Sequence, residues 1–332
     1  MRILKNLAVG AGLAATLMLT VGPALAQDPT TPVRMGWLRS SLSLIMHPIA
    51  VEEGFYARNG IAPQVTEIRS GDGGIGTQSV MTGDLDIYIG VVSDVAKLNS
   101  QAKDIGQTPP LVVVALGSPG ATNLVLREGI PYQSIGDIKG LRIGVSSLGS
   151  AHLVTFRHYL AEQGTTVEQL QLQLVRVGGS DMPAALVSNQ IDGFLHSQPT
   201  PAIAVATGGA KLVLAPSQMG TAGTSPNVGI IASRRWAAEN GDTLRKVVAA
   251  LKQASAAYAD IPTARVVEIA VKYLGGDPET LTASRPFVDP RIVDLRAGAD
   301  TYWSVEMSAM KERGEVAKNF EQSDMFDFDI AP

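Results

Sequence analysis

Met35-Gly36-Trp37 and Ile143-Gly144-Val145, each followed by a cluster of serines, are the two stretches of sequence that decide the fold. They begin two units of the same plan, about 108 residues apart. Each unit reads as a strand, a serine loop, a helix, a strand, a Gly-Gly loop, a helix and a last strand introduced by aspartate. The duplication predicts two similar α/β lobes whose loops face each other across a cleft, and such a cleft can trap a ligand.

Between the two units and beyond them, short apolar runs alternate with helical patterns as far as residue 215. This alternation favours βαβ units and mainly parallel sheets. The predicted strands are Val33–Trp37, Gln64–Ile68, Asp86–Val91, Leu111–Leu116, Asn123–Arg127, Arg142–Val145, Gln173–Val177, Gly193–His196, Lys211–Ala215 and Val228–Ala232. After residue 232 the pattern is helical, with long amphipathic helices predicted at Asp242–Asp260, Pro262–Leu274 and Asp294–Arg313 and no further strand.

The expected fold class is therefore α/β, with two lobes and a helical C-terminal layer on the first of them. Glycine-rich segments at 117–120 and 220–226 suit the crossings between lobes, because glycine can absorb backbone rotation when domains close. We expect lobe one to comprise residues 33–117 plus 224–332, and lobe two residues 118–223.

The N-terminal 26 residues resemble a signal peptide, with Arg2 and Lys5 before an apolar run and the cleavage motif Ala24-Leu25-Ala26. Residues 27–32 read as a flexible leader. Without any cysteine the chain cannot be acylated as a lipoprotein, so we expect a periplasmic protein with no membrane anchor. A retained membrane anchor is the alternative.

The composition argues against several classes of function. The sequence holds 27 basic and 31 acidic side chains, a net charge of −4, and no basic patch that would bind nucleic acid. Four histidines without i, i+4 spacing and no cysteine argue against a metal site, and G-x-S-x-G is absent. We expect a monomer with no catalytic residue, metal or cofactor, and hence not an enzyme.

One motif allows two interpretations. The stretch Gly71-Asp72-Gly73-Gly74-Ile75-Gly76 satisfies G-x-G-x-x-G between a predicted strand and a helix, as a dinucleotide site requires. The second unit carries only Gly178-Gly179 at the matching point. The simpler interpretation is a turn whose backbone N–H groups stay open at a helix start.

The serine loops also have two interpretations, which are compatible. Ser146, Ser147 and Ser150 lie between a predicted strand and a helix, where unpaired backbone N–H groups carry partial positive charge. Such a loop can bind a carboxylate, sulfonate or phosphate, whereas Ser150 can also simply cap the helix. The same argument applies to Ser40, Ser41 and Ser43 after the first strand.

Other residues lie beyond the carboxyl ends of predicted strands, where ligand crevices form. Arg39 there could meet an anionic ligand, although a loop arginine can equally be a solvated surface charge. His196 and Gln198 follow a strand of the second unit, and Ser93 holds the equivalent place in the first. His47, His152 and His158 lie in or beside helices and are weaker candidates.

Four segments together resemble the nitrate/taurine/sulfonate-type periplasmic substrate-binding proteins. They are Glu52–Ile61, Met81–Asp86, Ile138–Val145 and Ala184–Gly193, and the resemblance runs from about residue 33 to 260. It implies the type II periplasmic binding fold and delivery of a small solute to an ABC transporter permease and its ATPase. Family ligands include nitrate, sulfonates, aromatic acids, pyrimidines and flavins, so the resemblance does not identify the solute.

From the residues and the resemblance together, we expect a small anionic organic ligand. The expected contacts are Trp37, Leu38, Arg39, Ser40, Ser41, Gly73, Gly74, Ser93, Ser146, Ser147, Gly149, Ser150, Gly179, His196 and Gln198. One alternative is an enzyme on the same fold that acts on an aromatic or pyrimidine precursor through His196. Another is a periplasmic sensor that feeds a membrane kinase.

Overall fold

A computed structural model describes residues 30–39, 41–69 and 73–330. The expected signal peptide, most of the expected leader and Ser40 lie outside these ranges. The strands are β1 (Thr31–Arg39), β2 (Ile61–Arg69), β3 (Ile87–Val91), β4 (Leu111–Pro119), β5 (Asn123–Arg127), β6 (Arg142–Val145), β7 (Gln173–Arg176), β8 (Gly193–His196), β9 (Ala210–Leu214), β10 (Pro226–Ser233) and β11 (Ile292–Val293).

Helices follow most of the strands and make up most of the chain after β10. They are α1 (Met46–Glu52), α2 (Phe55–Arg58), α3 (Gly73–Thr82), α4 (Ser93–Asp104), α5 (Ala151–Glu162), α6 (Met182–Val187), α7 (Thr200–Ala206), α8 (Arg234–Glu239), α9 (Gly241–Ala257), α10 (Thr263–Leu274), α11 (Pro278–Ser284), α12 (Leu295–Tyr302) and α13 (Ser308–Glu312). The single helix predicted at Asp294–Arg313 is interrupted by a π-helical turn, Trp303–Met307, between α12 and α13.

The strands form two separate sheets. The six-stranded sheet of lobe one has the order β11-β4-β10-β3-β1-β2, and the five-stranded sheet of lobe two has the order β7-β6-β8-β5-β9. In lobe one β1 lies between β2 and β3 and is parallel to both, and in lobe two β6 lies between β7 and β8 in the same way. The two-lobed α/β fold and the repeat expected from the sequence are confirmed.

Two expectations about the strands are wrong. The sheets are mixed rather than mainly parallel, because β4, β10 and β11 pair antiparallel in lobe one, as do β5 with β8 and β9 in lobe two. The chain leaves lobe one through β4 and returns through β10, so these two neighbours run in opposite directions. A strand also follows residue 232, since Ile292–Val293 pairs with β4, but two residues are too short to show a strand period.

Matching ion pairs mark the two units. The backbone N–H and guanidinium of Arg34 at β1 both donate to Asp86 before β3, with an Nη2–Oδ1 distance of 2.5 Å. Arg142 at β6 donates to Asp192 before β8 in the same manner, with an Nη2–Oδ1 distance of 2.8 Å. Asp86 and Asp192 therefore hold equivalent arginines in the two units.

The hydrophobic core follows the division into sheets. One large cluster surrounds the first sheet and includes Val247, Leu251 and Ile269, so the C-terminal helices pack on lobe one as expected. Two smaller clusters cover opposite faces of the second sheet, one containing Phe156 of α5 and the other containing Leu186 of α6. Of the helices in the described ranges, none is long and apolar enough to cross a membrane.

The chain crosses between the sheets twice, at residues 120–122 and 215–225. The two crossings touch, since the N–H of Gly120 donates to the carbonyl of Ser225 at 3.3 Å. The exact lobe limits, residues 33–117 with 224–332 and residues 118–223, stay a proposal.

Candidate functional site

Loops from the two sheets meet at what we call the interlobe cleft, which is lined by the segments that follow β1, β3, β6, β7 and β8. The N–H of Leu42, after β1, donates to the carbonyl of Gln198, after β8, at 3.3 Å. Nearby, the hydroxyl of Ser118 donates to the carbonyl of Ser43. Residues beyond the carboxyl ends of strands in both lobes therefore lie against one another, where crevices in such sheets bind ligands.

The wall of lobe two brings together two of the expected residues. His196 ends β8, and a Cβ added to Gly179 would lie 2.4 Å from its Nε2 atom. The segment after β7 thus reaches the His196 ring only because residue 179 has no side chain. The ring also lies beside His152 in the first turn of α5, with ring centroids 5.0 Å apart.

Both imidazoles are neutral at neutral pH. Burial lowers the pKa of His152 to about 3, with a smaller contribution from His196. Burial also lowers the pKa of His196, against the opposing effect of its bond to Ser197. Since a carbonyl can only accept, the Nδ1 of His196 donates to the Ser197 carbonyl at 3.1 Å and its Nε2 is left as an acceptor.

His152 is a residue that sequence reasoning set aside because it lies in a helix. Its Nδ1 is 3.1 Å from the hydroxyl of Thr122, which lies in the first crossing between the lobes. The only signal in the sequence was its position two residues after Ser150, in the first turn of the predicted helix.

The serine loop of lobe two is open to solvent. Ser146 and Gly149 are exposed and Ser147 is partly exposed. Ser150 is the N-cap of α5, where its hydroxyl accepts from the N–H of Leu153 at 3.3 Å, so the capping interpretation is confirmed for this residue.

An acidic side chain of lobe one approaches the same loop. A Cβ at Gly149 would lie 3.4 Å from an oxygen of Glu315. Glu315 is bound in turn by Arg313 at 2.5 Å and by Lys97 at 3.4 Å, and these two cations lower its pKa. The start of α5 therefore faces an anion that the protein itself supplies.

Other expected residues of lobe one lie at or just after the end of β1 and at the starts of α3 and α4. Arg39 is exposed and lies 3.8 Å from the carboxylate of Glu67, so its charge is partly balanced. The hydroxyl of Ser41 is buried and accepts from the N–H of Ser43 at 3.2 Å. Ser93 begins α4, Gly73 begins α3, and Gly74 is exposed in the first turn of α3.

Two expected contacts are corrected by the structure. Trp37 has no exposed surface, and its indole N–H donates to the carbonyl of Leu44 at 3.2 Å. Leu38 is 4% exposed and belongs to the same core. Both residues lie on β1 inside the first sheet, where helices cover both faces, so their side chains hold the lobe together and offer no surface to a ligand.

The side chain of Gln198 binds the backbone of α7 beside the cleft. Its side-chain oxygen accepts from the N–H of Ala202 at 3.3 Å, at the start of α7. It also borders a cavity of about 650 Å³ between α7 and α11, together with Val205, Thr280 and Phe287. Gln198 therefore joins the cleft to a second groove between the lobes.

Sequence reasoning also missed three polar side chains at or beside the ends of the segments that connect the lobes. Within the described ranges, the Oδ1 atoms of Asn123 and Asn227 and the Oγ atom of Ser225 are buried without a hydrogen-bond partner. The amide nitrogen of Asn123 donates to the carbonyl of His196 at 3.1 Å, which places this residue beside the imidazole pair. The available signal was asparagine at the start of an apolar strand. Buried polar groups normally have a hydrogen-bond partner, so an asparagine in a buried strand indicates a polar contact there.

The last glycine of the G-x-G-x-x-G motif has a packing role, whereas Gly71 and Asp72 lie outside the described residues. A Cβ at Gly76 would lie 2.5 Å from the ring of Tyr88, so glycine lets α3 lie close to β3. Across the part of the chain that the structure describes, no group of three His, Asp or Glu side chains is arranged to hold a metal ion.

Comparison with known proteins agrees with this geometry. The sequence model of the NMT1-like family matches residues 26–271. A protein of Brucella abortus that carries a binding-protein name is 27% identical over 275 residues, which cover 81% of this chain and 80% of that protein.

Solved structures share the fold at lower identity. The periplasmic aliphatic sulphonate binding protein of Escherichia coli is 17% identical, with a TM-score of 0.71 over 88% of this chain and 91% of that one. The periplasmic nitrate-binding protein of Synechocystis is 14% identical, with a TM-score of 0.68 over 91% of this chain and 87% of that one. At such identities the likeness concerns the fold, and it confirms the periplasmic binding architecture.

Proposed function

This chain belongs to the NMT1-like family, and from that premise we propose that it is a periplasmic solute receptor that delivers its ligand to an ABC transporter. It binds a small organic ligand between its lobes as a monomer and presents the closed form to a permease and its ATPase. The binding-protein names of its relatives support this role, as does the leader-like N-terminus.

One observation carries the proposal: segments after β1 and β8, which belong to different sheets, meet at a single cleft through Leu42 and Gln198. A ligand that touches both walls is bound more tightly by the closed form than by the open form. That difference in affinity is what shifts the equilibrium toward closure.

We propose that the ligand carries an anionic group and a body with hydrogen-bond donors. Backbone N–H groups of Ser146, Ser147 and Gly149 and the hydroxyls of the two serines, before the start of α5, hold the anion in competition with the Glu315 carboxylate, with Arg39 on the opposite lobe. The Nε2 atom of His196 accepts from the ligand body beside Gly179. Ser41, Gly73, Gly74 and Ser93 complete the wall of lobe one.

The test is a thermal-shift screen followed by calorimetry, using sulfonates, aromatic carboxylates and pyrimidines. We expect at least one of these solutes to raise the melting temperature. His196→Ala removes an acceptor and should weaken binding by about tenfold, the equivalent of one hydrogen bond.

His158→Ala is the matched control, because His158 lies on the same lobe but pairs with Glu162 at 3.5 Å. Its affinity should equal that of the parent. The receptor proposal fails if no solute binds, and the assignment of His196 fails if both variants lose affinity equally.

The pair of neutral imidazoles at His152 and His196 also favours a second candidate, an enzyme that moves a proton on an aromatic or pyrimidine precursor. A turnover assay separates the two functions. An enzyme forms product that disappears in His196→Ala, whereas a receptor returns the solute unchanged in both proteins.

A further inference from the structure

A buried glutamate joins the two lobes away from the loops described so far. Glu306 lies in the π-helical turn Trp303–Met307 and is only 3% exposed. Its Oε1 atom accepts from the hydroxyl of Thr155 on α5 at 3.1 Å. Thr155 is itself 5% exposed, so this hydrogen bond is shielded from water.

The two partners are anchored in different cores. Thr155 lies on α5 beside Phe156, which belongs to the core of lobe two. Glu306 is flanked by Met307 and follows Tyr302, which both belong to the core of lobe one. If the lobes separate as rigid bodies, Thr155 leaves with one and Glu306 with the other, and the carboxyl group becomes exposed to water.

The cation that acts on Glu306, Arg313, forms an ion pair with another carboxylate. Arg313 is the only cation that contributes to the electrostatics of Glu306 within the described ranges, and its guanidinium is held by Glu315 at 2.5 Å. Lys97 is likewise held by Glu315. Glu306 therefore has a hydroxyl as its partner and no ion pair of its own among the described residues.

The other groups around Glu306 do not favour its charge either. Tyr302 on α12 is buried, and burial together with the nearby Glu306 raises its pKa. On α5, Arg157 and His158 line the groove between that helix and α13. Burial raises the pKa of Glu306 to about 8, with opposing contributions from Thr155 and Arg313.

We propose that Glu306 is a proton-dependent latch, neutral when its carboxyl group lies against Thr155 in the closed form and ionised once the lobes part. The proposal rests on the proposed function only in assuming that the lobes open. It needs no particular ligand, because both partners belong to the protein.

The direction of the pH effect follows from linkage. The carboxyl has a pKa near 4.5 when exposed and about 8 in the closed form, so closure takes up a proton between these values. The contribution of this proton to closure is fully present below about pH 4.5. It is lost progressively as the pH rises toward 8. For one linked proton, the ratio of closed to open protein falls by up to about tenfold per pH unit.

The test measures the distance between the lobes directly. Because the sequence has no cysteine, spin labels can be attached at Gln101→Cys on α4 and Gln169→Cys in lobe two, both exposed positions. Pulsed electron paramagnetic resonance then measures the distances between the two labels without ligand, and these distances give the closed fraction from pH 5 to pH 9. We expect the closed fraction of the parent to decrease as pH rises.

Two variants and one control define the outcome. Glu306→Gln mimics the neutral carboxyl and should stay closed at every pH, whereas Thr155→Val removes a bond that lowers the pKa of Glu306 and should extend the pH-dependent range upward. Glu312→Gln removes an exposed charge from the next helix and should behave as the parent.

The latch is refuted if the parent shows no pH dependence, or if Glu306→Gln retains it. Should Glu306→Gln fail to fold, infrared spectroscopy of the parent decides, because a protonated buried carboxyl at pH 7 has a distinct C=O band that must be present. If closure depends on pH through Glu306 but no solute binds in the screen, the receptor proposal is refuted and the latch stands. If a solute binds but closure does not depend on pH, the latch is refuted and the receptor proposal stands.

Discussion

Gly74 and Gly76 lie two residues apart in the first turns of α3 but have different surroundings. A Cβ at Gly76 would lie 2.5 Å from the Tyr88 ring, which is wholly buried. At Gly74 a Cβ would meet no described atom within 4 Å. Gly76 is the last glycine of the G-x-G-x-x-G motif and Gly74 stands at one of its variable positions, and of these two glycines only Gly76 is required for the packing of the helix on β3.

Substituting each glycine by alanine tests this distinction. Gly76→Ala should lower the free energy of unfolding by about 1–3 kcal/mol, because the methyl group displaces the Tyr88 ring. Gly74→Ala should leave it unchanged or raise it by up to about 1 kcal/mol, since alanine favours a helix. Chemical denaturation measures both, and equal effects would contradict the packing role.

At the scale of elements, an arginine on β1 and on β6 pairs with the aspartate that precedes the neighbouring strand, β3 or β8. Asp192 accepts from Arg142 at 2.8 Å and from Arg127 at 2.6 Å, whereas Asp86 accepts from Arg34 as its only arginine among the described residues. Hydrogen bonds from Arg142, and the charges of both arginines, lower the pKa of Asp192 to about 2. These bonds join β6, β8 and β5 in lobe two.

We predict that Asp192→Asn lowers the free energy of unfolding at pH 7 by about 2 kcal/mol, the equivalent of its lowered pKa. The aspartate stabilises the fold above its unfolded pKa near 3.8, and this contribution is lost as pH falls toward 2. Melting curves of parent and variant should therefore converge at low pH. Asp86→Asn should cost less, because it leaves one arginine unpaired rather than two, and a pH-independent difference for Asp192→Asn would contradict the assignment.

Across the whole molecule, the two crossings between lobes are packed together at Gly120. This residue has a φ of +69°, and a Cβ there would lie 2.1 Å from the carbonyl oxygen of Gly223. The glycine-rich composition of the crossings was predicted to serve hinge motion, and the structure adds that it allows their backbones to touch.

Gly120→Ala should lower the free energy of unfolding by more than about 3 kcal/mol, because a positive φ and a clash with rigid backbone add together. Gly140→Ala is the control, with a φ of +78° and no described atom within 4 Å of the added Cβ. It should cost only about 1–2 kcal/mol. Denaturant titrations compare the two, and similar costs would show that the crossings are loosely packed.

The sequence was sufficient for features that depend on neighbouring residues. The alternation of apolar runs, the serine loops and the aspartates at strand starts predicted both units, most strands and the N-cap at Ser150, because periodicity and capping act over a few residues. Strand direction was harder to predict. β10 is antiparallel to β3 and β4 because of the point at which the chain returns to lobe one, and no local sequence pattern predicts that point.

The sequence by itself determined two repeated α/β units and the loops at their strand ends, since short-range preferences for helices, strands and turns set those features. Only the tertiary structure decided that Trp37 and Leu38 belong to the core, that His152 lies against His196, and that Glu306 meets Thr155 across 151 residues of chain. The contact between Glu306 and Thr155 depends on how the two lobes are placed against each other, whereas the other outcomes depend on packing within one lobe. In each case the stabilising contacts join residues distant in sequence, which no local pattern records.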